Sequence, residues 1–193
     1  AAQLGDRKTA AQGVRDQLAW MVHAELGYTF AVPWSPRLVA QMDYASGNDD
    51  PSDDDSHTFD PLFGARRFDL MPTGIFGAFR RSNLISPGVR LGLQPAKTVR
   101  LDAKVRHWML DEARDAFAGT AGPGGGALTD ATGNAGRDLG TDLELRARWD
   151  AREWLGFDVG YDHWWKGHYL DDVANTRTRG DADYFYLQSR LRF

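Results

Sequence analysis

The sequence predicts an all-β protein, an antiparallel transmembrane β-barrel of amphipathic strands, and three observations carry that prediction. Apolar residues recur at every second position in seven separate runs. The connections between runs alternate short and long. Aromatic residues gather toward both ends of the apolar face, with aliphatic residues between them.

The first run sets Leu18, Trp20, Val22, Ala24, Leu26, Tyr28 and Phe30 against Ala19, Met21, His23, Glu25, Gly27 and Thr29. After a Pro-containing turn over 31–36, Leu38, Ala40, Met42 and Tyr44 alternate with Arg37, Val39, Gln41 and Asp43. The third run opposes Ile85, Pro87, Val89, Leu91 and Leu93 to Ser86, Gly88, Arg90, Gly92 and Gln94. The fourth opposes Val99, Leu101, Ala103, Val105, His107 and Met109 to Arg100, Asp102, Lys104, Arg106 and Trp108. In the fifth, Leu139, Thr141, Leu143, Leu145, Ala147 and Trp149 face away from Gly140, Asp142, Glu144, Arg146 and Arg148. The sixth separates Leu155, Phe157, Val159, Tyr161 and Trp165 from Gly156, Asp158, Gly160, Asp162 and Trp164. The last separates Phe185, Leu187, Ser189, Leu191 and Phe193 from Tyr184, Tyr186, Gln188, Arg190 and Arg192. Each run approaches the roughly 9–11 residues that a tilted strand needs to cross a bilayer.

Composition agrees with this reading and excludes others. Of 193 residues, 42% are hydrophobic, yet mean hydropathy is −0.50 and no stretch reaches the roughly 18 apolar residues of a membrane helix. Barrel strands need an apolar residue only at alternate positions, so they escape that test. The absence of cysteine excludes thiolate metal sites and disulfides, and a net charge of −4 does not suggest nucleic acid as a partner. Residues 1–15 carry mixed charge and no apolar signal core. Residues 1–14 therefore read as the end of an external loop or the start of a fragment, and 15–193 as the C-terminal part of the barrel. An odd number of antiparallel strands does not close alone, so the chain is expected to be part of a larger barrel.

The short connections are 31–36, 94–98 and 150–153; the long, polar ones are 45–83, 111–138 and 167–181. Short periplasmic turns and long external loops are the outer-membrane pattern, and a soluble sandwich gives no reason for it. With the C-terminus on the periplasmic side, Trp20, Tyr44, Trp165 and Phe185 mark the external rim of the lipid-facing surface. Tyr28, Phe30, Trp149, Phe157 and Phe193 mark the periplasmic rim.

The ending Phe185-x-Leu187-x-x-x-Leu191-x-Phe193 resembles the signal by which the barrel assembly machinery recognises its precursors. A narrower resemblance runs from Gly27 to about Asp115. Gly27-Tyr-Thr-Phe30, Tyr44-Ala-Ser-Gly-Asn-Asp-Asp50 and Phe59-Asp-Pro-Leu-Phe-Gly-Ala-Arg-Arg-Phe68 are similar to the alginate export family of outer-membrane proteins. Pro72-Thr-Gly74, Arg81-Ser-Asn83 and Ser86-Pro-Gly88 continue in that style. The resemblance implies a monomeric barrel of about 18 strands in the bacterial outer membrane, surrounded by lipid and lipopolysaccharide, that passes an anionic polysaccharide outward. A general or uptake porin for small anions is the alternative within the same family.

On the polar face, Arg100, Lys104, Arg106, Arg146, Arg148, Arg190 and Arg192 are the candidate substrate path. Guanidinium groups offer bidentate contacts to carboxylates, and charged rings in a pore select ions of opposite sign. The competing reading is structural: salt bridges with Asp102, Asp142 and Glu144 that stabilise the wall. Arg66 and Arg67 are candidates for a loop constriction. Asp49, Asp50, Asp53, Asp54 and Asp55 form an acidic loop that could hold Ca²⁺ but fits no EF-hand spacing. No other cofactor is expected. An enzyme is the rival class, but His107 and His163 have no serine beside them, so no catalytic residue is expected.

Overall fold

The computed structural model describes residues 1–9, 13–50, 52–61, 77–118, 127–174, 176 and 180–193. Nine strands follow in order: β1 (Ala2–Thr9), β2 (Gly13–Thr29), β3 (Arg37–Ala45), β4 (Asp55–Ser56), β5 (Leu84–Ala96), β6 (Val99–Met109), β7 (Asp138–Arg152), β8 (Leu155–Lys166) and β9 (Ala182–Leu191). Among the described residues one short helix, α1 (His168–Asp172), precedes β9. Apart from β4, which pairs in parallel with β2, the strands form one antiparallel meander whose two edges do not meet. Each of the seven alternating runs has become a strand of it.

Alternation sorts the side chains onto two faces. The outward face leaves large apolar groups in the open: Leu26 is 81% exposed, Leu187 69% and Phe185 68%. An apolar band of this extent would be a liability in water and is stabilising against acyl chains. Toward the short turns it carries Trp149 stacked on Phe157 at 5.8 Å and Tyr28 edge-on to Phe30 at 4.9 Å. Trp20 and Trp165 are half-exposed toward the long connections. Tyr44 is partly buried because its hydroxyl donates to Asp111 Oδ2 at 3.0 Å. Phe193 lies beyond the end of β9 and is fully exposed.

The short turns are stapled to neighbouring strands. Trp34 O accepts from Gln94 N at 2.7 Å, Thr98 O from Asp150 N at 2.9 Å, and Trp154 O from Arg192 N at 2.9 Å. This satisfies turn carbonyls that alternation alone leaves unpaired.

Two details differ from the sequence expectation. Residues 2–9, expected within the end of a loop, form β1, which pairs with β2 from Thr9↔Gly13 to Ala2↔Trp20. This hairpin projects past Ala45, where β3 ends, on the side of the long connections. One face is open to solvent and the other is covered by residues 55–60, to which Gln3 and Gln17 donate through their side-chain amides, so its alternation is polar rather than apolar. Leu139, assigned to the outward apolar set, is fully buried on the inner side. A bulge between Trp108 and Met109 shifts the β6–β7 register there, and Gly140 at φ 108° accommodates it. A Cβ at Gly140 would lie 2.7 Å from the Gly167 nitrogen, so a glycine is required.

At the long-connection end, the connections fold over the inner face and build an apolar core. Phe79 stacks on Trp108 at 3.9 Å and meets Trp164 edge-on at 4.8 Å. Leu84, Leu110, Phe117, Leu128 and Tyr169 complete the cluster. A second, smaller cluster packs Phe59 on Ala19 and Ala45.

Candidate functional site

Register places the inner-face side chains in rungs across the strands. One rung reads Gly27, Val39, Arg90, Lys104, Glu144, Asp162, Tyr184. The rung nearer the long connections reads Glu25, Gln41, Gly88, Arg106, Asp142, Trp164. The rung nearer the short turns reads Thr29, Arg37, Gly92, Asp102, Arg146, Gly160, Tyr186.

Cations and carboxylates interleave along these rungs, and most of the predicted path residues are ion-paired. Lys104 pairs with Glu144, and Arg146 grips Asp158 through both Nε and Nη2. Arg148 Nη2 donates to Asp102 Oδ2 at 2.7 Å, and Arg190 Nη2 to Asp150 Oδ1 at 2.9 Å. Arg90 lies 3.8 Å from Glu25. Arg100 and Arg192 have no carboxylate within ion-pair distance among the described residues, and Arg37 donates at 3.2 Å to the Thr29 hydroxyl instead. Between the paired groups lies a polar cavity of about 220 Å³, lined by His23, Gln41, Arg90, Lys104, Arg146 and Arg148 with Glu25, Asp102 and Glu144.

Glycines set how these long side chains lie. A Cβ at Gly88 would come 2.6 Å from Arg106 Cγ, and one at Gly156 would come 3.0 Å from Arg190 Nη2. Each glycine gives a neighbouring strand's side chain room to lie flat along the wall rather than project into the lumen. Gly160 does the same for the Tyr186 ring, whose hydroxyl donates to Asp158 Oδ1 at 3.0 Å.

Arg106 crosses β5 over Gly88 to reach Asp43 on β3 and donates at 3.0 Å to Ser86 Oγ. Asp43 also accepts from Arg81 Nε at 2.8 Å and meets His23 Nδ1 at 3.0 Å. Arg106 is 0% and Asp43 1% exposed, so this cluster sits in a dry interior where the pairing is obligatory. It ties the connection carrying Phe79 to the wall. On the next strands, Asp142 accepts from Trp108 Nε1 at 2.5 Å, while both oxygens of buried Asp162 lack a donor among the described residues.

Arg66 and Arg67 lie outside the described residues. The residues of that connection that the structure does place on the inner face are Phe79 and Arg81, which the sequence reading did not single out as site residues. The signal available was the presence of Trp108 and Trp164 on the charged face, where aromatic rings need a partner from elsewhere. In the acidic loop, Asp50 Oδ1 accepts from Ser52 N at 3.0 Å, which with the Ser52 hydroxyl holds its carboxyl below the usual range. Asp53 accepts from Asp55 N at 3.1 Å, and Asp49 meets His57 at 3.4 Å. Asp54 gives its carbonyl to Asp16 N, and no group of three metal-ligating side chains converges among the described residues.

An antiparallel meander with a lipid-facing apolar belt, aromatic rims and an ionised inner face is the wall of an outer-membrane β-barrel. The chain belongs to the alginate export family, whose model matches residues 1–184. That is a family of outer-membrane transport proteins with a β-barrel fold, and its activity at family level is export of alginate or polysaccharide. No curated protein matches the chain.

Proposed function

We propose that the chain forms the C-terminal wall of a larger outer-membrane channel through which an anionic polysaccharide, alginate or a similar polyuronate, leaves the cell. The observation that carries this reading is the polar cavity on the inner face, where Arg90, Lys104, Arg146 and Arg148 converge opposite an apolar outer belt. Pairing suits these cations to transport. A polymer carboxylate can replace Asp102 on Arg148, and the displaced Asp102 then competes to return. Each contact is thereby weakened, as conduction requires of a site that must be left as readily as it is entered. Side chains laid flat over glycines keep the bore clear for a sugar chain.

Planar-bilayer recording of the complete barrel tests this. Anion selectivity and current block by a short oligogalacturonate are expected. Both should fall when Arg146 and Arg148 are replaced by glutamate. Selectivity that survives R146E/R148E would remove the lumenal basic path. Block by small anions but not by the oligomer would favour an uptake porin.

A further inference from the structure

The lumenal cations divide by position. Those in the body of the wall, namely Arg90, Lys104, Arg106, Arg146 and Arg148, each have a carboxylate partner. At the short-turn end Arg190 pairs with Asp150, while three cations have no carboxylate partner among the described residues. Arg37 opens β3 directly after the 31–36 turn, Arg100 is the second residue of β6 after the Lys97–Thr98 turn, and Arg192 follows the last residue of β9. Backbone bonding holds Arg192 at that rim, because its N–H donates to Trp154 O of the third short turn. Alternation puts all three on the lumenal side: Arg37 with Gln41 and Asp43, Arg100 with Asp102 and Lys104, Arg192 with Gln188 and Arg190.

The distinction has an electrostatic consequence. A paired cation is a short dipole whose field dies within a few ångströms, whereas an unpaired one acts over about a Debye length, roughly 8 Å at physiological salt. The body of the wall is charge-compensated; the mouth holds three uncompensated cations beside the Arg190–Asp150 pair. Neighbouring strands lie about 4.8 Å apart, so Arg37 and Arg100, two strands apart, stand roughly 10 Å from each other along the rim. Arg100 and Arg192 are three strands apart and, because the rung of Arg100 reaches β9 at Gln188, four residues offset along it, so they stand roughly 20 Å from each other. The fields of Arg37 and Arg100 therefore overlap, and Arg192 extends the basic rim to β9.

We infer that Arg37, Arg100 and Arg192 form an anion-capturing collar at the short-turn mouth, which takes the carboxylates of a polyanion's leading end before it meets the compensated interior. The collar selects and the interior conducts. This deepens the export reading and rests on it.

The test is one-sided block. Oligogalacturonate is added to either face of the complete barrel in a planar bilayer, with maltohexaose as the neutral control. In R37Q/R100Q/R192Q the half-blocking concentration from the short-turn side should rise about tenfold. From the opposite side it should change less than twofold, and maltohexaose should block both proteins alike. The single variant R100Q should move about twofold in the same direction, and heat-modifiable gel mobility verifies that each variant has assembled. An equal shift from both sides, or none, overturns the collar and leaves the export reading standing. A wild-type barrel that oligogalacturonate blocks from neither side overturns the export reading and the collar with it.

Discussion

The two ends of the inner face are built on opposite principles. At the long-connection end the face is treated as protein interior. Trp108, Leu110 and Tyr169 have no exposure, and the charged groups there, Arg106 and Asp43, are equally dry. At the short-turn end the same alternation delivers Arg37, Arg100 and Arg192 to solvent. What differs is the connections: long ones fold back and cover the face, and turns of a few residues cannot. Loop length, more than the strands' own sequence, decides where this wall is sealed.

Breaking the dry end should have the largest effect. Asp43→Ala strips Arg106 and Arg81 of the carboxylate they share in a dry cluster, at a cost of about 3–5 kcal/mol. Urea unfolding of the complete barrel in lipid vesicles reads this directly. A loss under about 1 kcal/mol would mean that the cluster is hydrated.

Phe79→Ala should cost about 3 kcal/mol, since the ring stacks on Trp108 and touches Trp164 and Phe117 in a closed cluster. Bilayer conductance should also rise, because that ring lies over the lumenal face. An unchanged current would show that the cluster seals only the wall and not the bore.

Alkali should loosen the same end. Burial, reinforced by the fields of Asp130 and Asp115, pushes the Tyr169 hydroxyl up to about 12 from its ordinary 10.0. The folded protein therefore holds this proton more tightly than the unfolded chain does. The stabilisation is complete below pH 10 and is lost as pH climbs through 12, on the order of 2 kcal/mol in all. Tyr169→Phe removes the ionisable group, and with it the hydroxyl's 3.1 Å bond to Leu128 O. Its unfolding free energy should be flatter over that window.

The architecture was legible because lipid and lumen impose a strict period of two, and that period survives in every strand that meets both. It failed where lipid is absent: β1 and the first part of β2 meet solvent on one face and the polar 55–60 segment on the other. It failed again at Leu139, where a bulge moves a residue across the sheet. The pairings were half legible. Asp102 and Glu144 do meet cations on adjacent strands, but Asp142 is spent on the Trp108 indole, and Arg106 reaches past β5 to Asp43. Which carboxylate a long side chain finds depends on the glycine that lets it lie down, and Gly88 shows its role only once the register is known.

The smallest effect belongs to the solvated middle of the inner face and is for that reason diagnostic. Arg148 is 38% and Asp102 22% exposed at the side chain, and their 2.7 Å pair lines the polar cavity. An ion pair so solvated contributes at most about 1 kcal/mol, because each partner keeps much of its hydration when separated. Arg148→Gln should therefore leave the urea midpoint nearly where it was while weakening oligogalacturonate block. Asp102→Asn should do the reverse to block, because it frees the guanidinium for the polymer. Opposite signs for these two variants would show that the pair is an exchangeable contact. A loss of block in both would show that its purpose is to hold the wall together.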